Sequence, residues 1–401
     1  MREKFASRSG AWSRSRLRDR THPAGVGGGD VGFEACWGVG RHGLGTTYVT
    51  KRFLIVGLAG AVMAACGGGV SSGPTAPPKT DAQYRAEAAT AMHDALVVDL
   101  AQVVKAATQL QAAAPLVDDR GWDPALDAAA ITTMREAWFR ARSAYEHIEG
   151  AVEPLFPDVA TALDSRYEEQ LASIGPAGDP DLFDDHGVTG LDAIERILYA
   201  DSTPAHVLAY EKTLPGYRAS AFPANEHEAR DFKLRLCKKL VDDATGLAAR
   251  WDAAPLDVRV AFGGLVSLVT EQSEELERAA QGAEESRYSQ KSMEALRANL
   301  EGTEAISGLF REWLVSKNGG ADLDQKVADG MHQLEQQYAS VDGMSIPPPP
   351  PTWSSSSPSP QDLATPFGQL YTTVRGEVDP NREGTLPWQM LREAALLGIS
   401  P

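Results

Sequence analysis

From Asp81 to about Ala114, the apolar residues Met92, Leu96, Leu100, Val103, Ala107 and Leu110 recur every three or four positions, with polar residues between them. That period places them on one face of a helix, so the spacing predicts a long amphipathic helix here. It also predicts a second helix from about Pro124 to Ala151 and a third beginning near Val188, after the DPDLFDDHG loop. Further helices are expected over Glu226 to Trp251, Val258 to Ala280, Ser292 to Lys317 and Asp322 to Ala339. No stretch carries the two-residue alternation of a strand. Helices of this length joined by short loops imply an all-α domain built as two antiparallel bundles. Residues 343–362 (GMSIPPPPPTWSSSSPSPQD) interrupt the helical period with proline and serine, which predicts a polyproline-like or disordered surface loop. A proline ligand for a partner is the other use of such a stretch. Beyond it, Pro366, Pro380 and Pro387 restrict Leu363 to Ile399 to short helices.

The start of the chain reads as an address. Lys51-Arg52 precede the apolar run Phe53 to Ala65 (FLIVGLAGAVMAA), which is too short for a stable membrane span and about the length of a signal-peptide core. The run ends in Met63-Ala64-Ala65-Cys66, which resembles the lipobox of bacterial lipoproteins, with Cys66 as the residue to be lipidated. Residues 51–66 are therefore expected to be a lipoprotein signal peptide. Residues 67–80 (GGGVSSGPTAPPKT) hold no core-forming run and would be a flexible tether. Residues 1–50 lie upstream of this complete signal and lack hydrophobic periodicity, so they read as a non-native extension without a fold, with Val49 as the candidate true start. After cleavage only Cys66 and Cys237 remain, and no disulfide framework is possible within one chain. The expected location is the cell envelope, with the domain anchored by lipid and facing the periplasm or the cell surface.

Charge narrows the partners. Residues 1–66 hold 10 of the 38 Lys and Arg and 4 of the 55 Asp and Glu, which leaves the expected mature chain near −23. Such a body repels a phosphate backbone, which argues against nucleic acid, and favours cations. Aromatic residues make up only 7% while hydrophobic residues reach 43%, as expected of an Ala- and Leu-rich helical core.

Two acid pairs stand at helical spacing, Glu146 with Glu149 in AYEHIE and Asp192 with Glu195 in GLDAIE. Residues three apart share a helix face, so each pair can present two carboxylates to one point. Spacing alone does not make a site, because such pairs are usually a solvated face. Asp164 is expected in a loop between the pairs, in ATALDSR, with Arg166 two residues later.

The surroundings of these acids resemble the imelysin family, which includes imelysin-type peptidases and iron-uptake proteins of the EfeO/EfeM type. The resemblance rests on Tyr145-Glu146-x-Ile148-Glu149, then Phe156-Pro157-Asp158, Leu163-Asp164-x-Arg166, and Gly190-x-Asp192-x-x-Glu195 on the next helix. A second stretch, Glu284 to Ile306 (EESRYSQKSMEALRANLEGTEAI), is similar to the family's other recurrent segment, with its E-x-x-x-Y-S core and A-N-x-E-G turn. The resemblance implies an all-α imelysin-like domain over residues 81–401. It also places Glu146, Glu149 and Asp164 on the family's acidic metal positions, and Glu195 on the Glu of its G-x-H-x-x-E motif. Asp192 stands where the motif has His. With five carboxylates and no imidazole, the implied ion is a divalent or trivalent cation that prefers oxygen, such as Fe, Mn or Ca, rather than zinc. The other outcome is that no ion is kept, and Arg166 or Arg196 turns the acids into a structural ion-pair network. His147 points off the Glu146/Glu149 face by about 100° per residue and reads as a packing or surface residue.

The expected function is an envelope-anchored binding protein that takes a metal ion, or a ligand bridged by one, in metal uptake. The resemblance implies an iron permease or an acidic polysaccharide as partner. A metallopeptidase is the alternative, with Glu195 as general base to a metal-bound water. A structural or partner-binding bundle that has lost its metal is the third.

Overall fold

A computed structural model describes residues 78–400 of the chain. The expected extension 1–50, the signal segment 51–66 with Cys66, and most of the tether lie outside the described residues. The domain is all helical, with no strand among the described residues. None of their helices is long and apolar enough to cross a membrane.

Helix α1 (Asp81–Ala113) begins at a capping box in which Thr80 Oγ1 accepts from the Gln83 N–H while the Gln83 side chain accepts from the Thr80 N–H. Its predicted apolar face is buried from Ala88 to Leu110. Helix α2 (Ala128–Leu155) starts later than the sequence suggested. Asp127 accepts from Arg120 and from the Asp123 N–H, which holds the chain in a turn until Ala128. The helix stops at Phe156, because Pro157 opens the next one, α3 (Pro157–Asp164).

Asp164 was expected in a loop and is instead the last residue of α3. The shortness of this helix concealed it, since eight residues carry little period to read. Helices α4 (Tyr167–Ile174), α5 (Gly190–Leu198) and α6 (Ala205–Glu211) follow. The helix expected over Glu226 to Trp251 is continuous but contains a π turn, Phe232–Leu236, between α7 (Glu226–Asp231) and α8 (Cys237–Ala253). Then come α9 (Val258–Ala279), α10 (Ser292–Ser307) and, after a 3-10 turn, α11 (Arg311–Val315). Helices α12 (Gly320–Ala339), α13 (Pro360–Leu363), α14 (Pro366–Glu377) and α15 (Leu386–Leu397) complete the domain.

The helices gather in two groups that share one apolar core. Helices α1, α2 and α8 pack together, while α14 and α15 pack on α9 and α12 packs on both of them. Helix α2 belongs to both groups, because α9 and α10 lie directly on it. Glycine makes that approach possible. A Cβ on Gly264 of α9 would run into the Gly150 carbonyl of α2, and one on Gly302 of α10 into the His147 carbonyl. Buried tryptophans tie the helices across the core, as their polar edges require. Trp138 Nε1 donates to the Leu191 carbonyl at 3.0 Å, and Trp251 Nε1 to that of His93 at 3.2 Å. The Pro/Ser loop is extended between α12 and α13, and Trp353 within it packs edge-on against Phe367 and Tyr371, at 4.7 and 4.9 Å between ring centroids.

Candidate metal centre

On α2, Glu146 lies one turn before the Gly150 contact and Glu149 immediately before it, where Glu149 meets residues of α9 and α10. Helix α5 is brought to the same region by Gly190, whose φ of +87° only glycine adopts easily. A side chain there would also collide with the carbonyls that end α3. This close approach sets Asp192 of α5 and Asp164 of α3 beside α2. The segment between α9 and α10 supplies the remaining wall. Ser286 and Gln290 hold positive φ angles of 37° and 57° within it, an uncommon conformation for residues with a Cβ. The segment is pinned by its own backbone: the Glu285 N–H donates to Glu275, the Ser289 N–H donates to Glu195 Oε1 at 2.8 Å, and Ser292 Oγ donates to the Glu285 carbonyl.

At the centre sits Arg142, one turn before Glu146 on α2 and only 2% exposed. Its Nη2 lies 2.5 Å from Glu285 Oε1 and 3.6 Å from Asp192 Oδ1, its Nε lies 2.7 Å from Glu146 Oε1, and its Nη1 pairs with Asp164. Burial works against the guanidinium charge, but Glu285, Glu146 and Asp192 outweigh it and hold the group ionised. The Nε and Nη2 contacts are ionic in distance without hydrogen-bond alignment, so those donors remain unsatisfied, as do both oxygens of the fully buried Glu146.

One guanidinium thus faces Glu146, Asp164, Asp192 and Glu285, with Glu149 alongside. Repulsion and desolvation act on the acids in the expected direction. Glu146 is pushed up to about 8, by burial first and then by Glu285, against the pull of Arg142. Glu149 is raised well above the usual carboxylate range by burial, Glu146 and Glu285, and burial raises Asp192 against Arg142 and Arg287. Burial and then Asp192 push Glu195 up to about 8, while its bond from Ser289 opposes this. The neighbouring buried network is balanced instead. Arg287 pairs with Glu168 at 2.5 Å, Tyr288 donates to Glu211 at 2.6 Å, and Arg196 pairs with Glu211 at 2.9 Å. The surplus of negative charge therefore belongs to the Arg142 cluster.

Among the described residues, the carboxylates that can each bring an oxygen within 4.8 Å of the others are Glu146, Glu149 and Glu285. That donor set suits a hard cation. Of the acids singled out in the sequence, Glu146 and Glu149 belong to this set, Asp164 and Asp192 reach Arg142, and Glu195 is held by the Ser289 amide. Neither Arg166 nor Arg196 is the cluster's central cation: Arg166 reaches Glu275 at 3.3 Å, and Arg196 is committed to Glu211. His147 turns away to Glu301, at 3.3 Å.

Sequence reasoning missed Arg142, Glu275 and Glu285. Arg142 was available as the residue four before Glu146 on the same helix face. Glu285 lay in the second recurrent segment, but nothing in its local spacing says that the chain folds back onto α2. A small cleft of about 30 Å³, lined by Glu149, Glu285, Glu275, Arg166, Gln272 and Asn299 among others, opens beside two of the three carboxylates and has room for a water or two.

No curated protein matches the chain. A family model described as Imelysin matches residues 87–360, a span that runs from within α1 to the start of α13 and holds every acid of the cluster. The chain belongs to the imelysin family.

Proposed function

We propose that this protein is a lipid-anchored, envelope-exposed binding protein that captures a hard metal cation through Glu146, Glu149 and Glu285 and serves metal uptake. The observation that carries the reading is the convergence of these three carboxylates, two of them buried, with both Glu146 oxygens lacking a hydrogen-bond partner. Unpartnered buried carboxylate oxygens are costly, and a cation relieves the cost by neutralising charge and filling their lone pairs at once. Iron, manganese and calcium suit an all-oxygen set, and the ion would supply binding charge, either alone or as a bridge to an anionic ligand. The lipobox ending at Cys66 supports the anchor, and an iron permease or an acidic polysaccharide is the corresponding partner.

Binding without turnover is favoured over peptidase chemistry by the position of Glu195. A general base must reach a metal-bound water, whereas Glu195 lies outside the three-carboxylate set and one of its oxygens is occupied by the Ser289 N–H. A second reading rests on Arg142, a permanent internal cation already paired with the acids, which would leave the bundle as a structural or partner-binding module without an ion.

Elemental analysis of the purified protein, with calorimetric titration of Mn²⁺, Fe³⁺, Ca²⁺ and Zn²⁺, separates these readings. The proposal expects stoichiometric binding of an oxygen-preferring ion, weakened at least tenfold in Glu146→Gln, and no hydrolysis of an unfolded protein substrate. Absence of binding by the unmodified protein would establish the Arg142 reading, and metal-dependent hydrolysis the peptidase.

A further inference from the structure

Asn299 and Gln272 line the same small cleft as Glu149 and Glu285, and nothing above assigns either a role. Asn299 is 5% exposed and its Oδ1 is buried without a partner. Gln272 is 2% exposed; its Oε1 accepts from the Tyr338 hydroxyl, which leaves Nε2 as an unsatisfied donor. A buried amide oxygen without a donor has lost its water without a replacement, a cost that a polar occupant of the cleft would relieve.

The helix geometry explains how Asn299 comes to be there. Gly302 lies three residues further along α10, on the same face, and its missing side chain lets α10 settle on the His147 carbonyl of α2. The Asn299 turn is thereby pressed toward the Glu149 turn. Within the A-N-x-E-G segment, Gly302 makes the approach and Asn299 faces the space that the approach creates.

Resting on the metal-binding reading above, we infer that Asn299 is a further ligand of the same ion, giving it a neutral amide oxygen beside the carboxylates of Glu146, Glu149 and Glu285. Hard cations take six or more oxygens and accept amide carbonyls as readily as waters, so the carboxylates leave places to fill. Four carboxylates line the cleft, Glu149, Glu271, Glu275 and Glu285, against two guanidiniums, Arg166 and Arg278, both of which are paired with Glu275, so the occupant that suits an amide oxygen there is a cation. Gln272 can offer only its N–H, and so holds a water on the ion rather than the ion itself.

The test is Tb³⁺ luminescence of the purified protein, with lifetimes compared in H₂O and D₂O to count the waters on the ion. Asn299→Ala is expected to add about one water and to weaken binding several-fold, and Asn299→Asp to restore the water count and tighten binding. If Asn299→Ala unfolds the protein, Asn299→Ser carries the same expectation with a smaller change in volume. Tb³⁺ bound by the unmodified protein with an unchanged water count in the variants would overturn the role of Asn299 alone. Failure of the unmodified protein to bind Tb³⁺ would overturn the metal-binding reading and this inference with it.

Discussion

Arg142 Nη2 lies 2.5 Å from Glu285 Oε1, and this pair joins the middle of α2 to the segment that leads into α10. It closes the carboxylate cluster from a remote part of the chain. It also fixes the electrostatic problem of the site, since one buried cation must answer for several acids.

Removing that cation should expose the problem. Arg142→Met leaves Glu146, Asp164, Asp192 and Glu285 without their shared partner, and breaking a buried pair in this way costs about 3–5 kcal/mol. Urea unfolding of the variant should show a loss of this size, part of which saturating Mn²⁺ restores. A loss below about 1 kcal/mol would mean that the acids are protonated and do not need the guanidinium.

A second expectation concerns pH and a buried acid outside the cluster. Glu393 on α15 is buried, and burial first, then Asp324, push it up to about 8. An unfolded Glu titrates near about 4.3, so the folded state keeps the proton longer than the unfolded state does. The stability linked to this group is complete below about pH 4 and is lost as pH rises to about 8. Glu393→Gln should therefore flatten the decline in thermal stability between pH 5 and 9, by about 1–3 kcal/mol at the upper end. Parallel profiles for the variant and the unmodified protein would show that Glu393 ionises normally. Glu146 and Glu195 act in the same direction, so the difference between the two profiles isolates Glu393.

Close approach of α10 to α2 is a third testable feature. Gly302→Ala places a methyl group against the His147 carbonyl and must push the helices apart, with an expected cost of about 1–3 kcal/mol. Because Glu149 and Asn299 face the cleft from these two helices, the affinity for Mn²⁺ should fall together with stability. An unchanged affinity in a measurably destabilised variant would separate the cleft from the site.

The Pro/Ser loop gives a fourth. Trp353 packs between Phe367 and Tyr371, and the Ser359 and Thr352 side chains both bond to Asp362. Trp353→Ala should make residues 343–359 markedly more sensitive to limited proteolysis while lowering global stability by no more than about 2 kcal/mol. Equal cleavage rates would show that the loop does not depend on this anchor.

How much of this was readable in the sequence follows from the range of each interaction. The long helices were legible because their buried faces repeat over many turns, as Met92, Leu96, Leu100 and Val103 do on α1. The start of α2 was not, since it depends on a side-chain turn made by Arg120 and Asp127, and α3 was too short for its period to show. At the site, Glu146 and Glu149 could be paired by local spacing alone. The partnership of Arg142 with Glu285, and the place of Asn299 beside them, depend on the packing of α10 on α2 through Gly302, a tertiary fact with no local signature. The Pro/Ser stretch read as a polyproline-like or disordered loop, and it is an extended segment anchored by Trp353, because one aromatic side chain is enough to hold a chain that forms no regular element.

In the proposed metal-binding role, Glu285 completes a cation site with Glu146 and Glu149. Calorimetric titration of Mn²⁺ into the purified protein, beside Glu285→Gln and the surface control Glu301→Gln, tests it most directly. The expected result is one ion per chain for the unmodified protein and for Glu301→Gln, with affinity at least tenfold weaker in Glu285→Gln. Equal affinities in all three, or no binding in any, would contradict it.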